Sequence, residues 1–212
     1  MQRLNADDTV TLVGALEKVF ADQREFLIAL DGKVGDSDLG LTMNKAFTAA
    51  HAAVKADPSG TPGKLLRNAG LAIAKAAPST MGTLTASGFM RGGKTIEAAD
   101  TIGSAEMAAF WRAYRTVVQE RGRAQVGDKT VLDVLDPIAV SLEASAAAGA
   151  PLETALTAAA AAAGEALEKT KTMVAQHGKA AAFQEKSLGL QDAGATVGVI
   201  IIETMADFVT SR

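Results

Sequence analysis

Three aspartates fall within eight residues in the segment Asp31-Gly-Lys-Val-Gly-Asp36-Ser-Asp38-Leu-Gly40. Carboxylates this close repel one another unless a positive charge sits among them, and the two glycines between Asp31 and Asp36 leave the backbone free to fold them together. Hard divalent cations such as Mg²⁺ take oxygen ligands and are commonly held by a few carboxylates plus substrate phosphates. A Mg²⁺–phosphate site is one reading of Asp31, Asp36 and Asp38. An acidic capping loop is the other, because Asp and Gly are ordinary turn residues. The calcium-loop pattern is excluded, since no glutamate stands at the position where that loop ends.

Three further loops are rich in small residues. Ser79-Thr80-Met81-Gly82-Thr83 precedes a glycine-containing stretch that ends in Gly92-Gly93-Lys94. Amides at such a helix start cradle phosphate, or the segment is simply a capped turn. Gly122-Arg-Ala-Gln-Val-Gly127-Asp128-Lys129-Thr130 is a polar loop that either supports a nucleotide or connects helices. Gly189-Leu-Gln-Asp192-Ala-Gly194-Ala-Thr196 opens the last apolar stretch. The phosphate-loop pattern GxxxxGK[ST] has no match. The chain has no cysteine, which excludes a thiol nucleophile, zinc–thiolate sites and a disulfide framework. His51 and His177 read as surface or helix-end groups away from these loops, with neither placed for a serine triad. Asp128 and Lys129 read as a loop charge pair, with a phosphate-facing Lys129 as the alternative. Trp111 and Tyr114 share a helical face and read as core or interface.

The elements that must position these loops are helical. Hydrophobic residues make up 48% of the 212, yet aromatics only 4%. Alanine, at roughly a fifth of the chain, fills the difference. Small side chains bury a core by close helix packing and serve sheets badly. About eight apolar segments at helical spacing are separated by Gly, Pro, Ser and Asp. The first follows Asp7-Asp8-Thr9 and runs to Leu30; the second carries Met43, Phe47 and Val54. The third starts at Pro62, the fourth covers 82–90, and the fifth opens at Ser104. The sixth begins near Thr130, the seventh at Pro151, and the eighth spans about 193–209. The apolar run 197–202 reads as buried helix, and the alanine tract 158–163 as a close helix contact. Short connections favour an all-α, antiparallel up-and-down bundle in one domain, 1–212. In such a bundle the loops before helices two, four, six and eight share one end, so all four loops converge on one rim. Net charge is −3, which leaves no basic footprint for nucleic acid. No uninterrupted apolar run of eighteen residues spans a membrane. The polar start MQRLNADDTV does not read as a signal peptide, and a cytoplasmic location is expected.

The four loops, in this order and spacing, resemble the nucleotide-binding L subunit (DhaL-type) of dihydroxyacetone kinases. The motifs are DGKVGDSDLG, STMGTLTASGFMRGGK, GRAQVGDKTVLD and SLGLQDAGAT, and the resemblance covers essentially the full length. It implies a barrel of eight antiparallel helices with ADP or ATP on one rim. It implies that Asp31, Asp36 and Asp38 hold two Mg²⁺ ions against the nucleotide phosphates. By position, Leu39, Gly40, Leu41 and Thr42 match the first phosphate contact, and Thr80 and Met81 the second. Gly122 and Val131 match positions flanking the base, while Lys179, Asp192, Ala193 and Gly194 match the closing contacts. No residue is assigned as catalytic. The resemblance further implies a separate K subunit that binds the ketose, with ATP or a phosphotransferase-system protein as donor. The sequence departs from the family pattern where Leu39 and Leu190 replace histidines, Ala193 replaces proline, and Lys179 replaces arginine without its bidentate fork. Met81 stands where the family carries a serine, with Thr80 beside it. These departures fit a subgroup acting on another short ketose such as a tetrulose, or a non-catalytic nucleotide-binding regulator.

Overall fold

Asn5 starts the first helix: its side chain accepts from the Asp8 amide while Asp8 accepts from the Asn5 amide, a reciprocal cap. The computed structural model describes residues 3–212; Met1 and Gln2 of the expected domain lie outside the described residues. The elements are α1 (Ala6–Asp22), α2 (Arg24–Asp31), α3 (Leu39–Ala56), α4 (Pro62–Ala76) and α5 (Thr80–Thr95). They continue with α6 (Ser104–Gly122), α7 (Leu132–Ala147), α8 (Leu152–Thr170), a 3-10 segment (Lys179–Ser187) and α9 (Ala193–Thr210). Among the described residues there is no strand, only a single backbone bridge between Leu4 and Ile102.

α1 packs on α3, α3 on α4, and so on stepwise to α9, which returns to α1 and closes the ring. This is the expected eight-helix antiparallel arrangement, with one correction. The first expected helix is two, because the backbone leaves helical geometry at Gln23 (ψ 3°). The break coincides with a close approach of α3: a Cβ on Gly40 would lie 2.1 Å from the Arg24 carbonyl oxygen. One helix start and one helix extent also change. Gly103, not Ser104, precedes α6, the fifth helix of the ring, and Glu106 accepts from its amide at 2.7 Å. The short helix expected at 82–90 extends over Thr80–Thr95, capped by Ser79.

The few aromatics are concentrated rather than spread. Phe20 stacks on Phe47 at 4.5 Å between centroids, Phe47 meets Phe89 edge-on, and Phe89 meets Phe110 and Tyr114. Trp111 and Tyr114 belong to this core. On α8, Ala155, Ala159, Ala163 and Ala166 bury one face, so the alanine tract is a helix contact as its spacing implies. α9 buries residues 195–202 and is helical throughout. Among the described residues it is the one helix with the length and hydropathy of a membrane span, and it packs on α1, α7 and α8.

Candidate metal and nucleotide site

Asp31 ends α2 and Asp38 immediately precedes α3, so the aspartate loop is a tight return between two packed helices. Its folding depends on Gly35: a Cβ there would fall 2.2 Å from Asp31 Oδ1 and 2.7 Å from the Asp31 carbonyl oxygen. Ser37 takes a left-handed φ of 61°, which turns the chain back. Asp31 Oδ2 then accepts from the Asp38 amide at 3.1 Å and the Leu39 amide at 3.4 Å. One carboxylate oxygen from each of Asp31, Asp36 and Asp38 ends within 4.8 Å of the others. The donor set is three hard oxygens with no thiolate or imidazole, which fits Mg²⁺ or a similar cation and not a soft metal. Lys179, from the distant 3-10 segment, ion-pairs with Asp36.

The cluster borders a cavity of about 310 Å³ at the end of the ring where α3, α5, α7 and α9 begin. The four loops therefore do converge. Four helix N-termini surround one space, each with the partial positive charge that favours phosphate. Leu39, Thr80, Met81, Gly122, Val131, Lys179, Asp192, Ala193 and Gly194 line it together with the three aspartates. Gly122 leaves open space, since a Cβ there would meet nothing closer than Leu84 at 4.0 Å. Gly40, Leu41 and Thr42 do not line it. Gly40 is pressed against α2, Leu41 is 53% exposed, and the Thr42 amide bonds the Asp38 carbonyl within the first turn. Leu190 is not a lining residue either, and contributes its carbonyl to Lys129.

Two readings are corrected. His177 lines the cavity, its Nε2 lying 3.0 Å from Asp128 Oδ2. Lys129 does not pair with Asp128, although it does line the cavity, beside the last loop. It is buried, and its ammonium donates to the carbonyls of Met173, Ser187 and Leu190. The physical reason is shared: the segment 171–191 folds back across the rim, and its return follows tertiary hydrogen bonds that no local periodicity encodes. The one sequence cue is His177-Gly178-Lys179 within a stretch lacking an apolar stripe.

Asp192 caps α9 by accepting from the Ala195 amide at 2.6 Å. Burial pushes its carboxyl up to about 6 and nearby Asp133 adds to the rise, while the Ala195 amide and Lys129 oppose it. A folded-state value above the unfolded one means the native state binds the proton more tightly. Stability therefore falls as pH rises from about 3.8 to about 6, and the full cost of the buried charge persists above that. Asp192→Asn keeps the cap acceptor and removes the charge. Thermal melts of the ligand-free protein are expected to show the variant above wild type by roughly 3 °C at pH 7.5, the equivalent of about 1 kcal/mol. The gap closes toward pH 4; a constant gap across this range would contradict the assignment.

Residues 33–207 match the DAK2 domain family. The ADP-binding subunit DhaL of a PEP-dependent dihydroxyacetone kinase from Escherichia coli is 32% identical over 188 residues, covering 89% of this chain and 90% of the relative. The corresponding PTS-dependent subunit from Lactococcus lactis is 25% identical and covers 97% and 99%. A D-erythrulose kinase from Mycolicibacterium smegmatis is 34% identical over 92% of this chain, which corresponds to 34% of that longer protein. The crystal structure of the C. freundii dihydroxyacetone kinase in complex with AMP-PNP and Mg²⁺ is similar in fold, with a TM-score of 0.70 at 23% identity over 94% of this chain and 33% of that one. A family match over most of the sequence and a subunit-length relative above 30% identity, on a helical ring of matching fold, place this chain in the DAK2 family, as a DhaL-type member.

Proposed function

We propose that this chain is the Mg²⁺–nucleotide-binding phosphotransfer subunit of a dihydroxyacetone-type kinase, acting on a short ketose held by a separate K subunit. The carrying observation is the convergence of three carboxylates and four helix N-termini on one cavity. Asp31, Asp36 and Asp38 would hold two Mg²⁺ ions, and bound Mg²⁺ neutralises phosphate charge and fixes an in-line geometry. The chain's own groups do the rest. Asp31 is oriented by the Asp38 and Leu39 amides, Lys179 adds a positive charge beside Asp36, and Gly122 and Val131 line the part of the cavity assigned to the base. The fold acts as a single domain over 1–212 and works in the cytoplasm. Phe26, Leu41, Val126, Phe183 and Leu188 are exposed apolar side chains on the elements that supply the cavity, a distribution suited to docking a partner.

A second reading, a nucleotide-dependent regulator without phosphotransfer, draws on Leu39, which puts an apolar side chain in the cavity where the family carries histidine. Two measurements decide. Calorimetry with ADP is expected to show binding that requires Mg²⁺. The chain is then mixed with a K-type partner, dihydroxyacetone or erythrulose, and either ATP or a phosphorylated phosphotransferase-system carrier. Transfer of phosphate to one ketose supports the kinase reading; binding with no transfer from either donor supports the regulator.

A further inference from the structure

The segment 171–191 carries no α-helix, yet it supplies His177, Gly178, Lys179 and Ala180 to the cavity wall. Besides the Lys179–Asp36 ion pair and a bond from Gln191 to Thr196, its attachment to the helical ring is concentrated on two adjacent residues. The Lys129 ammonium donates to Met173 O at 3.1 Å, Ser187 O at 2.5 Å and Leu190 O at 2.7 Å, so all three of its N–H groups are used on the two arms of the segment. Lys129 is only 2% exposed and has a left-handed φ of 60°, which turns its side chain under the segment. Asp128 holds the same segment from the other side. Its carbonyl accepts from the Gln176 amide at 3.0 Å, and its carboxylate meets His177 Nε2 at 3.0 Å. Ser187 ties the arms to each other by accepting from the Ala175 amide.

We infer that Asp128 and Lys129 are positioning residues that hold the 171–191 segment in register over the cavity, and that this register sets how long a bound nucleotide stays. The inference rests on the nucleotide reading above. Asp128 does not line the cavity, and Lys129, which does, spends its ammonium on the carbonyls of the segment; both act through Lys179 and His177. A charge buried against three carbonyls is a stiff anchor, because breaking it leaves both the ammonium and the carbonyls without partners. Register matters because Lys179 reaches Asp36 of the carboxylate cluster from this segment, 143 positions away in the chain.

The test compares wild type, Lys129→Met and Asp128→Asn. Stopped-flow release of a fluorescent ADP analogue with Mg²⁺ reads residence, and backbone hydrogen exchange over 171–191 reads the anchor. Lys129→Met is expected to speed release at least tenfold, with the association rate within about threefold of wild type and faster exchange confined to 171–191. Asp128→Asn is expected to act in the same direction by a smaller factor and carries the test if Lys129→Met does not fold. The chain lacks cysteine, so Lys129→Cys can be aminoethylated at that one position. Restoring the ammonium in this way is expected to restore slow release. Unchanged release in folded Lys129→Met or in Asp128→Asn overturns the inference, as does faster exchange spread through all helices. If wild type binds no nucleotide, the nucleotide reading fails instead, and that failure is visible before any variant is made.

Discussion

Asp36→Ala is expected to raise the Kd for Mg²⁺–ADP at least about a hundredfold, equivalent to about 2.7 kcal/mol, and to leave the ligand-free protein as stable as wild type. The two halves of this expectation separate the metal reading from a capping loop. Asp31 has a structural task, since it accepts from the Asp38 and Leu39 amides. Asp36 has none of that kind: among the described residues its carboxylate is partnered by the exposed Lys179 and by no backbone amide. Removing it even relieves repulsion within a cluster whose oxygens lie inside 4.8 Å. A loop that only caps helices therefore loses nothing with Asp36, whereas a cation site loses a third of its protein charge. Chelating the metal from wild type is expected to reproduce the variant's affinity. Wild-type affinity in Asp36→Ala would sink the metal assignment while leaving the fold untouched.

What the sequence reveals about this site follows from which contacts are local. The aspartate loop, the Ser79 cap, Pro62 at the start of α4 and the cap of α9 by Asp192 all involve residues within a few positions of each other. Their chemistry can be read from spacing, and so can the convergence of the loops, because an up-and-down ring fixes which helix starts share an end. His177 and Lys129 could not be read in this way. Their partners lie 44 to 61 positions away, and nothing in a window around either residue points to those partners. The split between α1 and α2 was hidden for the same reason, since the apolar stripe runs on unbroken through Phe20, Leu27 and Leu30. Only the approach of Gly40 to Arg24 marks the break. Gly40, Leu41 and Thr42 show the reverse limit. Sequence position places them beside the cluster, while helix geometry turns Leu41 to solvent and Gly40 toward α2.

Gly88→Ala is expected to lower the melting temperature by about 4–8 °C, and Gly164→Ala to raise it slightly, although both place the same methyl group in the middle of a helix. Helix propensity alone favours alanine at both sites by about 1 kcal/mol. At Gly164 nothing lies within 4 Å of the added carbon, so that gain stands. At Gly88 the carbon would sit 2.3 Å from Tyr114 Cζ and 2.4 Å from both Cε atoms. The tyrosine ring has nowhere to go: it stacks on Trp111 at 5.2 Å and meets Phe89 at 5.8 Å and Phe110 at 6.1 Å. Overpacking of a rigid core costs up to about 3 kcal/mol, which leaves a net loss of about 2 kcal/mol after the propensity gain. Gly92 has the same relation to Phe110, with a Cβ at 2.6 Å from the ring. The scarcity of aromatics in this chain is thus matched by glycines cut into α5 to receive them. Because the aromatic stack lies among α1, α3, α5 and α6 and away from the cavity lining, folded Gly88→Ala is expected to bind Mg²⁺–ADP with wild-type affinity. A fall at Gly88 beside a smaller rise at Gly164, measured by thermal melts on the two single variants, would assign the effect to packing. A stabilised Gly88→Ala would show instead that the α5–α6 contact yields where the structure holds it rigid.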